Sequence, residues 1–329
     1  MIKFYQRLIL LLLFVGGISS IVIYFTVDIH TLRHLNSFQP WSLALAFVFL
    51  IIGLYFDGIR LMHLVSISGE KIRLIEAVHV VFGNYFLALL TPGAAGGAVA
   101  QVMFLRKAGV PTGKATVLIV VRTLLSIIFL VLCLPVIFYY DPGIMPGLSD
   151  DTLTIVFASL IAIILGLIWL FRTSLPYYWL VTLTKKFSHC NRRRIFLLYR
   201  DVRGAVFMLS SSPLSMARVF IESAISLLAL YSVVPILFMG MGMDIAIYIP
   251  QIMGRMILLN ILLYFAPTPG GSGIAEGGFV LLFSSFLPSG TVGIVAVAWR
   301  IIVEYLPFVI GLYFTIRVFG HKFLANHIK

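Results

Sequence analysis

Two short stretches decide how this chain folds: Thr91-Pro92-Gly93-Ala94-Ala95-Gly96-Gly97 and Pro267-Thr268-Pro269-Gly270-Gly271-Ser272-Gly273. Each lies near the middle of a long apolar run, 77–105 and 245–287. Proline removes a backbone donor and crowds the preceding turn, while clustered glycines permit tight reversals. A continuous helix through either cluster is disfavoured. Irregular backbone survives at membrane depth only where protein buries it or a polar cavity receives it. Each run therefore reads as a re-entrant helical hairpin.

Composition supplies the membrane. Of 329 residues, 61% are hydrophobic and 11% charged, with mean hydropathy +1.08. A soluble domain is about a quarter charged, so an ordinary soluble enzyme, a disordered chain, a collagen-like fibre and a disulfide-rich secreted module are all excluded. A helix needs about 20 apolar residues to cross hydrocarbon. Six further runs meet that length: 8–27, 41–65, 115–139, 152–171, 215–240 and 290–316. The first, preceded by Lys3 and Arg7, is too long for a signal-peptide core and lacks a small-residue cleavage site, so it reads as a retained anchor. The expected fold is an all-α polytopic membrane protein, six transmembrane helices plus two re-entrant hairpins. An N-terminal half, 1–151, holds the first hairpin. A C-terminal half, 152–329, holds the second and a cytoplasmic basic segment, 172–214.

Net charge is +12, from 24 Lys+Arg against 12 Asp+Glu. With both termini cytoplasmic, the interhelical Lys and Arg, from Lys3 through Lys114 and Arg192 to Lys329, fall inside, and Arg33 alone falls outside. That asymmetry is the positive-inside pattern of a cell-membrane protein. It also accounts for the charge without nucleic acid, because anionic lipid attracts such loops. Arg192, Arg193 and Arg194, interleaved with apolar residues, read as a helix gripping anionic head groups on the cytoplasmic leaflet. Cys133 lies in an apolar run and Cys190 in a basic loop, so neither a disulfide nor a metal site is expected. No cofactor-binding motif and no catalytic constellation is visible.

The two clusters form a repeat. Asn84 precedes Thr91 by 7 residues and Asn260 precedes Thr268 by 8; Arg122 follows Thr91 by 31 and Arg300 follows Thr268 by 32. Gly96 and Gly273 each stand five positions beyond their threonine. On the expected layout the first hairpin enters from the cytoplasm and the second from outside, so the halves are inverted. Inverted repeats with broken helices meeting near the midplane are a transporter pattern.

Asn84 to Gly97 with Arg122, and Asn260 to Gly278 with Arg300, resemble the family named for the transmembrane region of lysylphosphatidylglycerol synthases, also called flippase-like. The resemblance implies a lipid translocase. The aminoacyl-transfer domain of the bifunctional members has no counterpart, since 172–214 is too short for it. After the first double glycine the family often carries an acid and, three positions on, a base; here those positions hold Ala98 and Gln101.

Arg122 and Arg300 are the foremost substrate-binding candidates, because a guanidinium fork matches phosphate oxygens. A structural alternative for Arg300 is a pair with Glu304, four residues on; position 126 is Ser, so Arg122 has no such neighbour and is expected to be neutralised by substrate. The hairpin tips add unpaired amide N–H groups where helices restart. Thr91, Gly93, Gly96, Gly97, Thr268, Gly270, Gly271 and Gly273 would let lipid approach, or simply pack. Asn84 and Asn260 are expected to bond the broken backbone. Glu276, Glu304 and Arg255 are candidates for ion coupling, Glu276 foremost; the alternative is that the acids neutralise the buried arginines. Glu222 reads as a structural pair, and Asp57 with Arg60 as a local interfacial pair. The leading expectation is a translocase for a phosphate-bearing lipid. Its competitors are a head-group-modifying membrane enzyme and a non-catalytic partner of an envelope lipid or glycan synthesis enzyme.

Overall fold

A computed structural model describes residues 38–141, 175–186, 189–287 and 291–325, with isolated positions between 144 and 173. The run expected at 8–27, and most of that at 152–171, lie outside the described residues. Apart from one isolated bridge, the regular structure among the described residues is helical.

Helix α1, Pro40–Ile67, starts with proline in its first turn, where the missing N–H costs nothing. The first hairpin follows as α2, Leu74–Leu90, and α3, Ala95–Lys107. At its base the Arg73 backbone N–H, helped by the guanidinium, holds the Glu76 carboxyl below the usual carboxylate range. The arms run antiparallel. Thr91 faces Gly96, Ala88 and Asn84 face Gly97, and Gly83 faces Phe104. A Cβ at Gly97 would lie 2.4 Å from the Asn84 oxygen, so the close packing needs glycine there.

Helix α4, Thr112–Tyr140, carries Arg122. Short α5, Leu175–Leu183, precedes the basic α6, His189–Ser211. In α6 the Arg192 guanidinium lies 5.7 Å from the Phe196 ring centre; Arg193 is exposed, and the Arg194 side chain lies outside the described set. Gly204 of α6 packs on Val117 of α4. Helix α7, Pro213–Tyr231, continues as α8, Val233–Gly240, with a step at Ser232 because Pro235 offers no N–H to the Tyr231 carbonyl.

The second hairpin comprises α9, Ile249–Tyr264, and α10, Ile274–Phe283. It too is antiparallel, with Leu259 against Gly278 and Arg255 reaching the Leu282 carbonyl. Then come α11, Thr291–Arg300, a wide π turn at Ile301–Tyr305, and α12, Leu306–Ala325. Pro307 explains the widened turn, since the Val303 carbonyl loses its usual donor.

Five helical stretches among the described residues are long and apolar enough to cross a membrane: Pro40–Ile67, Thr112–Tyr140, Pro213–Gly240, Ala246–Tyr264 and Thr291–Phe319. Four match expected spans. The fifth is the first arm of the second hairpin, whose 19 residues also meet that length. The first hairpin's arm, 17 residues, falls short of it.

Each hairpin has its own apolar core. One gathers Val80, Phe104, Leu118 and Leu125 around the first hairpin. The other gathers Phe238, Phe279, Phe283 and Trp299 around the second, with the Phe279 and Trp299 rings stacked at 5.5 Å. The two tips meet. Pro92 and Pro269 form an antiparallel bridge, and the Gly93 N–H donates to the Ala266 carbonyl at 3.1 Å.

Candidate functional site: a cavity between two helix breaks

Where the tips meet they close one side of a cavity of about 460 Å³. The first hairpin contributes Asn84, Tyr85, Gly93, Ala94 and Gln101 to its wall; the second contributes Asn260, Tyr264, Gly270 and Gly271. Arg60, Arg122 and Glu304 bring charge to it. Of the residues expected at the site, Thr91, Gly96, Gly97, Thr268, Gly273 and Arg300 stand behind the wall rather than in it.

The breaks are built differently. In the first, the Thr91 hydroxyl donates to the Leu87 carbonyl and accepts from the Gly96 N–H, both at 2.8 Å. Ala94 then takes a left-handed φ of 52°, costly without glycine, and aims the start of α3 at the cavity. In the second, Gly270, Gly271 and Gly273 hold φ of 58°, 64° and 86°. Here the Gly273 N–H is taken by the Glu276 carboxylate at 2.8 Å. The asparagines do other work than expected. Asn84 accepts from the Gln101 amide at 2.7 Å, across the hairpin, and Asn260 donates to Met256 within its own helix.

Two clusters of buried charge flank the cavity. In the first, Asp57 lies between Arg60, 2.5 Å away, and Arg122. Arg122 also donates to Gln101, and Arg60 to the Ser126 hydroxyl at 3.1 Å. Arg122 is therefore partnered by Asp57, against the expectation that only substrate would neutralise it. Asp57 and Arg60 do pair, but not as an isolated local pair: both are buried, at 5% and 6% exposed, and Asp57 also holds Arg122. One acid faces two arginines here, leaving a formal charge of +1. The Arg122 Nε is buried with no hydrogen-bond partner.

The second cluster reverses the sign. Arg300, 1% exposed, pairs with Glu304 at 2.8 Å and lies 3.3 Å from Glu276. It donates to the Gly270 carbonyl at 2.9 Å, tying α11 to the second tip. Two acids face one arginine, leaving −1. Arg255 joins neither cluster. It pairs with Asp141 at 2.6 Å, reaches the Leu282 carbonyl and Ser285, and covers the Phe286 ring at 4.5 Å, clamping the hairpin's base. Glu222 meets Arg218 at 3.1 Å and His63 at 2.8 Å, not the arginines of the cavity.

A family model described as the lysylphosphatidylglycerol synthase TM region matches residues 9–311. The chain is also similar to a UPF0104 membrane protein of Archaeoglobus fulgidus, 23% identical over 285 residues, covering 82% of this chain and 85% of the relative.

Proposed function

The chain belongs to the lysylphosphatidylglycerol synthase TM region family, a family of multi-pass integral membrane proteins, and from that premise we propose that it is a lipid translocase and not an enzyme. Its cargo is a lipid with a phosphate-bearing head group, moved between leaflets by alternating access. The observation that carries this reading is the cavity between the hairpins, walled by both broken helices and holding a cluster with one arginine in excess of its acid. A buried net cation is costly. A phosphate oxygen set against the guanidinium groups of Arg122 and Arg60, both in the cavity wall, would offset that cost. Gly93, Gly270 and Gly271 stand in that wall, where a Cβ at Gly270 or Gly271 would run into Leu89 or Leu263 at 2.7 Å.

In this reading six spans and two inverted re-entrant hairpins sit in the cell membrane, both termini are cytoplasmic, and α6 rests on anionic head groups of the inner leaflet. Movement needs no nucleotide; any proton gradient would act through the carboxylates of Glu276 and Glu304. Topology is checked by single cysteines at Gly147 and Ser188 in a cysteine-free background, expected to label from opposite sides.

The central test is leaflet-resolved flux of a fluorescent-tailed phospholipid in proteoliposomes. Arg122→Gln should lower the rate at least ~10-fold, the effect of losing about 1.4 kcal/mol or more of head-group interaction. Equal flux by mutant and parent at matched protein levels would remove Arg122 from the site.

A further inference from the structure

Cavity walls of opposite charge constrain the cargo beyond its phosphate. On one side Asp57, Arg60 and Arg122 sum to +1; on the other Glu276, Arg300 and Glu304 sum to −1. Glu304 lines the same cavity as Arg60 and Arg122. Tyr85, on the first hairpin, stands in the wall with them, so the two clusters act on one volume.

Charges in such surroundings are weakly screened, and a ligand that balances only one of them leaves the other unmatched. A purely anionic head group satisfies Arg60 and Arg122 but faces Glu304 with nothing to offer. A purely cationic one has the reverse defect. A head group with one phosphate and one ammonium meets both. The cavity holds the volume of roughly fifteen waters at about 30 Å³ each, enough for such a group with part of its hydration. We propose that the cargo is a zwitterionic phospholipid of zero net charge, its phosphate against Arg60 and Arg122 and its ammonium against Glu304. This rests on the translocase reading and adds to it the head-group class, its orientation, and Glu304 as the residue that selects the cationic end.

The test compares a phosphoethanolamine lipid with phosphatidylglycerol, identical in their labelled tails, in the same proteoliposomes. The zwitterion should cross at least ~10-fold faster, and Glu304→Gln should bring the ratio to one or below while Glu304→Asp preserves it. Equal or faster movement of phosphatidylglycerol in the parent overturns the inference and leaves the translocase reading standing. So does a preference unchanged in Glu304→Gln. If neither lipid moves, thermal stabilisation of the detergent-solubilised protein by each lipid decides. A zwitterion preference there keeps the inference and strikes translocation; no preference strikes the inference. Should Glu304→Gln not fold, the parent's ratio and its retention in Glu304→Asp still decide.

Discussion

The two hairpins share a tip sequence but cap it with opposite chemistry. Five residues beyond each threonine a glycine N–H needs an acceptor. Thr91 supplies it for Gly96, whereas Glu276 supplies it for Gly273 and the Thr268 hydroxyl is buried without a hydrogen-bond partner. The residue in the register of Glu276 in the first hairpin is Val99, 57% exposed. A neutral cap requires no counter-ion; a buried anionic cap does, and Arg300 provides it. Arg122 has no such duty at its tip and is held at the cavity by Asp57 and Gln101. One copy of the repeat thus commits its arginine to the tip, and the other places its arginine in the cavity wall.

That contrast breaks most readily at Arg300. Arg300→Gln strands Glu276 and Glu304 and should cost about 3–5 kcal/mol, the range for removing one side of a buried ion pair. Arg122→Gln leaves Asp57 still paired with Arg60 and should unfold at a temperature near the parent's. Thermal unfolding of both in detergent gives the comparison, and equal losses would erase it. Next is Glu276→Gln, which keeps an oxygen for the Gly273 N–H but loses its charge. A loss of about 1.5–3 kcal/mol is expected, as for a charged hydrogen bond. Normal stability with flux no longer responding to a pH gradient would instead make Glu276 a proton carrier.

A third measurement concerns packing around the first hairpin. A Cβ at Gly311 would stand 2.1 Å from the Phe82 carbonyl oxygen, so Gly311→Ala should push α12 off α2 and cost about 1–3 kcal/mol. An unchanged unfolding temperature would mean that this contact is loose. The smallest effect separates the threonines. Thr91→Ala should cost about 1 kcal/mol as a lost cap, while Thr268→Ala should change stability by less than about 0.5 kcal/mol or raise it. The opposite order would show that the second tip is capped by its threonine after all.

The hairpins were legible because their signals are local: a cluster of Pro and Gly breaks a helix where a lone one, such as Pro135 inside α4, does not, and four described apolar runs became helices of span length. The Arg300–Glu304 pair was legible for the same reason, being a four-residue spacing. Contacts between helices were not. Asp57 reaches Arg122 across 65 residues of chain, and periodicity does not say which faces meet. Gln101 carries no charge signal, yet its amide joins Asn84 to Arg122. Arg255 looks like a partner for Glu276 in a list of buried charges; distance along the hairpin sends it to Asp141 at the base instead.

The seam between Pro92 and Pro269 has a mechanical consequence. Extended segments lying side by side tend to zip into a growing ladder, but a proline at the same point of each removes the donors that would extend it. The backbone bond from Gly93 to Ala266 then has a net worth of about 0.5–1.5 kcal/mol, the same order as thermal energy. Such a contact registers one hairpin against the other while costing little to break.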